Sequence, residues 1–192
     1  MNVSCDANNK LKNHLSKDYA EDTSLVLKPL DERVSENVLQ KGLAVCDGYA
    51  RLFKTICDYT SIQVVIITDY GRTDQDRIGT KFFTNHTWNA VYFDSAWHLL
   101  DVTWASGYTS YFGNDYIQHL DEHYYLTPPA RFIQDHYPED SKWTLLPQVP
   151  LVQEYKFSPF KRSGFIRSRI KSYYTAKGVI DAAIGDRVVI AL

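Results

Sequence analysis

The apolar positions of this chain change period several times, and each change marks an element. In residues 29–40, Leu30, Val34 and Val38 recur every fourth residue behind Pro29, which predicts a short amphipathic helix capped at its C-terminus by Gly42. The helical period then returns more strongly: Tyr49, Ala50, Phe53, Ile56 and Cys57 form one stripe, with Arg51, Lys54 and Asp58 facing away. Cys46 joins that stripe at its first turn, Gly48 and Ala50 let the turn approach a neighbour closely, and the helix is expected to end near 59–61. Residues 62–68, Ile-Gln-Val-Val-Ile-Ile-Thr, are rich in β-branched side chains and read as a buried strand. Residues 69–81 hold two glycines and several charges without an apolar period, and read as a loop forming a mobile rim over a site.

A period of two governs residues 82–104, which read as a β-hairpin turning at Asp94-Ser95. With that turn Phe93 faces Ala96 and Trp88 faces Asp101, so His86 lies one diagonal step from Asp101. His86, Trp88, Asp101 and Thr103 then share one face, and a slip of one residue would send His86 and Asp101 to opposite faces. Further on, 105–124 reads as a Gly/Ser/Tyr-rich loop, 125–129 as a turn into a helix over 130–136, and 143–146 as a last strand or an apolar anchor. Residues 1–24 are polar, with short helical pieces around 11–19, and strand-like runs return from about 165. The expected organisation is a helical lead-in over 1–40, a core over 41–150, and a linker with the start of a β-rich domain over 151–192. No internal repeat is visible.

Composition narrows the partners. The formal net charge is −2 with no basic block, so neither nucleic acid nor an anionic membrane is an expected partner. No apolar run approaches the roughly 20 residues that span a bilayer. The 3 cysteines, Cys5, Cys46 and Cys57, are too few and too unevenly spaced for a disulfide framework. Asn85-His86-Thr87 is formally a glycosylation sequon, and a glycan there would sit beside the candidate histidine. A reducing, cytoplasmic setting is the expectation.

The chemistry centres on Cys46. The thiolate is the nucleophilic form of cysteine, and the positive end of a helix dipole lowers a thiol pKa. A nucleophile placed there needs a base and a group to orient it, and the hairpin supplies His86 and Asp101. The backbone N–H of Cys46 is the simplest oxyanion donor. Cys5 and Cys57 read as structural, and Trp88, Trp97 and Trp104 as core residues, with Trp88 the best candidate for a substrate contact.

Three blocks carry a resemblance: Gly-Leu-Ala-Val-Cys46-Asp-Gly-Tyr-Ala, His86-Thr-Trp-Asn-Ala-Val, and Trp97-His-Leu-Leu-Asp101-Val-Thr-Trp. Together they resemble the core of the transglutaminase-like superfamily, whose Cys-His-Asp triad maps onto these positions. Residues 124–146, with Tyr-Leu-Thr-Pro-Pro and His-Tyr-Pro-Glu-Asp, resemble its kyphoscoliosis peptidase and hillarin branch, and the whole resemblance covers roughly 40–165. It implies an α+β, papain-like fold with the nucleophile helix on an antiparallel sheet, acyl transfer at peptide or glutamine amide bonds, no cofactor and no metal. It also implies a protein substrate, cytoskeletal association and a β-rich region after the core. The superfamily's upstream Trp or Gln oxyanion residue has no counterpart here, since no Trp precedes Trp88 and Gln40 lies too close to Cys46.

Two other classes compete with a thiol enzyme. One is a cytoskeletal interaction module that keeps the fold with weak or absent chemistry. The other is a metallohydrolase, because His119-Leu-Asp-Glu122-His123 matches a zinc pattern. That pattern needs a helix to bring its histidines to one face, and the surrounding Gly, Tyr and Pro residues argue against one.

Overall fold

The structure, a computed structural model, describes residues 28–73, 76, 82–110, 115–161 and 182–187. The expected N-terminal helical pieces and almost all of the strand-like runs after 165 lie outside the described residues.

Two helices lead into a sheet. Helix α1 (Leu30–Lys41) ends where Gly42 takes φ 62° and its N–H closes on the Val38 carbonyl, a left-handed cap that glycine adopts without strain. The inward residues of α1 are Val38 and Ser35, while Leu30 is 53% exposed. Helix α2 (Cys46–Tyr59) buries Cys46, Gly48, Ala50, Thr55 and Cys57. Ile56 points to solvent instead of joining the stripe, at 53% exposure, because the contact with α1 rotates the buried face towards Thr55. The Ser35 hydroxyl donates to Thr55 Oγ1 at 2.9 Å across that contact. Gly48 makes the helix pair possible: a Cβ there would lie 2.8 Å from Ala44 Cβ and 3.1 Å from Val38 Cγ2. The outer face is tied by Arg51 to Asp47 and Asp31, and by Lys54 to Asp58.

Strands β1 (Gln63–Gly71), β2 (His86–Phe93), β3 (Ala96–Leu100) and β6 (His136–Pro138) form one antiparallel sheet in the order β3-β2-β1-β6. The β2–β3 register is the one the hairpin predicts, with Phe93 opposite Ala96 and Asn89 opposite Leu100. Asp94 and Ser95 both take positive φ, 48° and 62°, so even the serine accepts the backbone that a tight two-residue hairpin turn requires. The first strand runs three residues further than expected. Tyr70 pairs with Tyr137 and Gly71 with His136, so a partner distant in sequence, not local composition, carries residues 69–71 into the sheet. Residues 82–85 in turn lie outside the ladder, because the Asn85 amide bonds both backbone groups of Gly71, at 2.8 and 3.0 Å.

Apolar side chains fill both faces of the sheet. On one, Val64, Val91 and Leu100 meet Cys57 and Phe53 of α2. On the other, Ile67, Trp88, Ala90 and Leu99 meet Phe132, Trp143 and Leu145. Trp143 belongs to a 3₁₀ turn (Ser141–Thr144) and packs edge-on to Trp97 at 5.0 Å, so 143–146 is an apolar anchor and not a strand. Buried Asn89 ties α2 to the sheet, donating to the Ala50 carbonyl at 3.1 Å.

Beyond β3 the expected strand gives way to a short helix, α3 (Val102–Ser106), capped by Asp101. The expected loop then contains a two-stranded ribbon, β4 (Gly107–Thr109) with β5 (Tyr116–Gln118), and a 3₁₀ turn (Glu122–Tyr124). Helix α4 (Pro129–Phe132) is shorter than expected, and His136, which the period placed at a helix end, lies in β6. A last helix, α5 (Val152–Phe157), returns to the sheet edge: buried Arg72 donates to the Tyr155 carbonyl and Ser158 Oγ, both at 2.8 Å, and to the Ser158 carbonyl at 3.0 Å. The fold is α+β.

Candidate active site

Each expected site residue has a structural reason for its place. Cys46 is the first residue of α2 and is buried, and the preceding Val45 is extended with no side-chain cap. The N-terminal amides of α2 are therefore not consumed by a capping side chain, and the helix presents its positive end at the turn that Cys46 opens. Helix α2 packs against β2, which begins at His86, and against α3, which Asp101 caps.

His86 and Asp101 meet directly. Nε2 of His86 lies 2.7 Å from Asp101 Oδ2, with both side chains buried. The expected geometry was a diagonal pair across a strand ladder. In fact Asp101 has left the ladder, and its other oxygen, Oδ1, accepts the N–H groups of Thr103 and Trp104 at 2.8 and 3.1 Å. Capping α3 fixes the carboxylate in a way a strand residue would not be fixed, since an N-cap places its side chain over the first helical turn. Thr103 consequently sits in a helix and not on the sheet face with His86. Trp104, brought round by the same turn, stacks on the His86 ring at 4.6 Å and 25°. Gly71 leaves room for the imidazole: a Cβ there would lie 2.9 Å from His86 Cβ.

Sequence reasoning missed the second histidine. His136 Nε2 approaches the same Asp101 Oδ2 at 3.1 Å, and its Nδ1 lies 2.8 Å from Asp135 Oδ1. Tyr124 donates its hydroxyl to the other Asp135 oxygen at 3.1 Å. Phe132 stacks on His136 at 4.2 Å and Trp104 tilts against it at 4.4 Å. The local signal was the Asp135-His136 pair itself, but nothing in the spacing says which carboxylate the ring's second nitrogen meets.

The electrostatics follow from burial and these contacts. Burial alone would raise the Asp101 pKa, but the charge of His86 and hydrogen bonds from His136 and His86 hold it well below the usual carboxylate range. Burial alone would lower His136, yet the charge of Asp135, with hydrogen bonds to Asp101 and Asp135, pushes it up to about 9. Asp69, on β1 opposite His86, is fully buried. Burial raises it to about 6, against the pull of the His136 and His86 charges.

Asp101, His86 and His136 also bring three ligand-type atoms within 4.8 Å of one another, a donor set of the kind that binds zinc. A metal there would replace the two Nε2 hydrogen bonds to Asp101. The zinc pattern read from the sequence does not assemble. Among the described residues His119 lies in no helix, Glu122 and His123 share a single 3₁₀ turn, and Nδ1 of buried His123 faces Arg131 Nη2 at 3.1 Å. The sequon asparagine is likewise occupied, since both ends of its amide bond Gly71.

A helix that opens on a buried cysteine, packed on an antiparallel sheet whose histidine meets a buried aspartate, defines a transglutaminase-like, papain-related fold. A family model described as the transglutaminase-like superfamily matches residues 4–102, so the chain belongs to that superfamily. Cys46, His86 and Asp101 all fall within the match, and His136 lies beyond it. Among curated proteins, kyphoscoliosis peptidase from Homo sapiens is 30% identical over 181 residues, 92% of this chain and 26% of the relative. Its counterpart in Mus musculus is 31% identical over 155 residues, 80% of this chain and 23% of the relative. Hillarin from Drosophila melanogaster is 33% identical over 135 residues, 63% of this chain and 16% of the relative. The chain therefore spans about a quarter, or less, of the length of these relatives. Among the described residues no helix is long and apolar enough to cross a membrane.

Proposed function

We infer that this chain is a thiol-dependent acyl-transfer domain that cleaves or transfers peptide or glutamine amide bonds. The observation that carries this reading is the 2.7 Å contact between buried His86 and Asp101, beside a helix that opens on Cys46. Asp101 takes Nε2–H, which leaves Nδ1 as the nitrogen for the thiol proton. His86 accepts that proton, and the Cys46 sulfur attacks the amide carbonyl carbon. The C–N bond breaks as His86 returns the proton to the departing amine, giving a thioester. Water or a second amine then attacks the thioester, passes a proton to His86, and releases Cys46. The backbone N–H of Cys46 is the proposed oxyanion donor.

The mammalian relatives are named as peptidases, which supports hydrolysis as the first activity to assay. The proposed substrates are cytoplasmic, cytoskeleton-associated proteins, a reading supported by the resemblance to the kyphoscoliosis peptidase and hillarin branch. The alternative, a cytoskeletal interaction module with weak or no turnover, is separated by one experiment. Iodoacetamide labelling at about pH 6–7, where an ordinary thiol near 8.5 is almost wholly protonated, is mapped in the wild type and in His86→Ala. Selective labelling of Cys46 that weakens in the variant supports the enzyme. Equal, slow labelling of Cys5, Cys46 and Cys57 leaves the module.

A further inference from the structure

The geometry points to one more residue in this reaction: His136 is a positioning residue, an imidazolium that holds Asp101 by the same oxygen His86 uses. This rests on the acyl-transfer reading above. Both His136 ring nitrogens face carboxylate oxygens, Asp135 Oδ1 at 2.8 Å and Asp101 Oδ2 at 3.1 Å. A carboxylate only accepts, so both nitrogens must donate, and a ring that donates twice is the cation. The ring is fully buried between Phe132 and Trp104, whose π faces favour a positive charge.

The charged and titratable groups around it come from every element it touches. Asp135 lies beside it in its own segment, Asp101 at the start of α3, and His86 on β2 with ring centroids 5.5 Å apart. Tyr124 stands 5.8 Å away on the 3₁₀ turn, and Asp69 on β1 and His123 act through their charges. The result is a line of partners, Tyr124 to Asp135 to His136 to Asp101 to His86, in which one buried cation separates two carboxylates. Asp101 therefore has all its acceptor demand met: Oδ1 by two amides, Oδ2 by two imidazoles. It cannot rotate away from His86 without breaking bonds on both oxygens. The His136 charge also tempers how strongly Asp101 raises the basicity of His86, so the cation sets the pH window of the Cys46–His86 pair.

Two substitutions separate position from charge. In His136→Gln the side-chain amide can reach where Nε2 stood and keep a donor on Asp101. In His136→Asn it reaches only where Nδ1 stood, and that donor is lost. Both remove the cation. The full chain and both variants are labelled with iodoacetamide across pH, with Cys46 mapped by mass spectrometry and folding checked by near-ultraviolet circular dichroism. Removing a nearby positive charge makes each proton of the pair harder to lose, so both variants should move the acidic limb of Cys46 labelling up by about one pH unit, roughly tenfold slower on the limb. On the plateau His136→Gln should label at close to the wild-type rate and His136→Asn about tenfold slower, since only Gln restores the hold on Asp101. Folded variants with profiles superimposable on wild type would overturn the inference while leaving the enzyme reading intact. Wild type without selective Cys46 labelling would remove both. If neither variant folds, the wild-type imidazole ¹⁵N spectrum at about pH 8 decides: two protonated nitrogens on His136 support the inference and one overturns it.

Discussion

Asp101 reaches His86 from the end of a helix, although the two residues approach each other along a hairpin. The hairpin register is intact up to Asn89 opposite Leu100. At the next step the chain turns, and the carboxylate that meets His86 Nε2 at 2.7 Å also caps Val102–Ser106. The geometry of the candidate site and local folding are thus coupled through one side chain, which makes Asp101 a place where the proposed chemistry and stability should fail together.

Asp101→Asn tests that coupling. The amide oxygen can still accept the Thr103 and Trp104 N–H groups, but the amide nitrogen then points a donor at two imidazole donors. Breaking a buried, charge-assisted network on one side costs about 3–5 kcal/mol, and His86 loses the partner that fixes its tautomer. Urea unfolding should show a loss of that order, and Cys46 labelling should fall by about a hundredfold or more.

Gly71→Ala should injure the site while sparing most of the fold. A Cβ at Gly71 would lie 2.9 Å from His86 Cβ and 3.3 Å from Cγ, so the imidazole must shift. Overpacking of this kind costs about 1–3 kcal/mol. The expected outcome is a folded protein whose Cys46 labels about tenfold more slowly, read by alkylation rate beside a thermal melt.

Asp69 gives stability an unusual pH dependence. Its folded pKa is raised from 3.8 to about 6, so the folded state binds the proton more tightly. The stability it contributes is complete below 3.8 and is lost as pH rises through 6. His136, raised from 6.5 to about 9, acts in the same sense: its contribution is complete below 6.5 and is lost as pH rises through 9. Asp101, lowered from 3.8, contributes above that value and loses the contribution as pH falls. Wild-type stability should therefore peak near pH 4, where Asp101 has regained its contribution and Asp69 has not yet lost its own, and decline on both sides. Asp69→Asn, which cannot ionise, should be more stable than wild type by about 3 kcal/mol at pH 8, and the advantage should vanish below about pH 3.8. Urea midpoints across pH measure both.

Arg72 should govern how firmly the last helix is held. Its guanidinium is buried and makes three hydrogen bonds to Tyr155 and Ser158, and Tyr155 in turn donates to the Tyr70 carbonyl at 2.8 Å. Arg72→Lys cannot reproduce that fork. Amide exchange in Val152–Phe157 should accelerate by about tenfold or more, as expected for losing charge-assisted bonds of about 1.5–3 kcal/mol, while β2 and β3 keep wild-type protection.

By itself the sequence determined the parts whose information is local. A helix that opens on Cys46, a strand after it, and a hairpin with Phe93 opposite Ala96 all follow from periods of 3.6 and 2 and from one turn. Local pattern also sufficed to put His86 within reach of Asp101, because 15 residues of hairpin leave few ways to place them. Tertiary structure decided everything that depended on a distant partner. Strand β1 reached Gly71 because β6 pairs with it, Ile56 turned outward because α1 chose Thr55, and Asp101 became a cap because α3 formed beneath it. Above all it brought His136 to Asp101 across 35 residues. Buried polar atoms must find partners at about 3 Å, and over such separations only the packed chain specifies which partners those are.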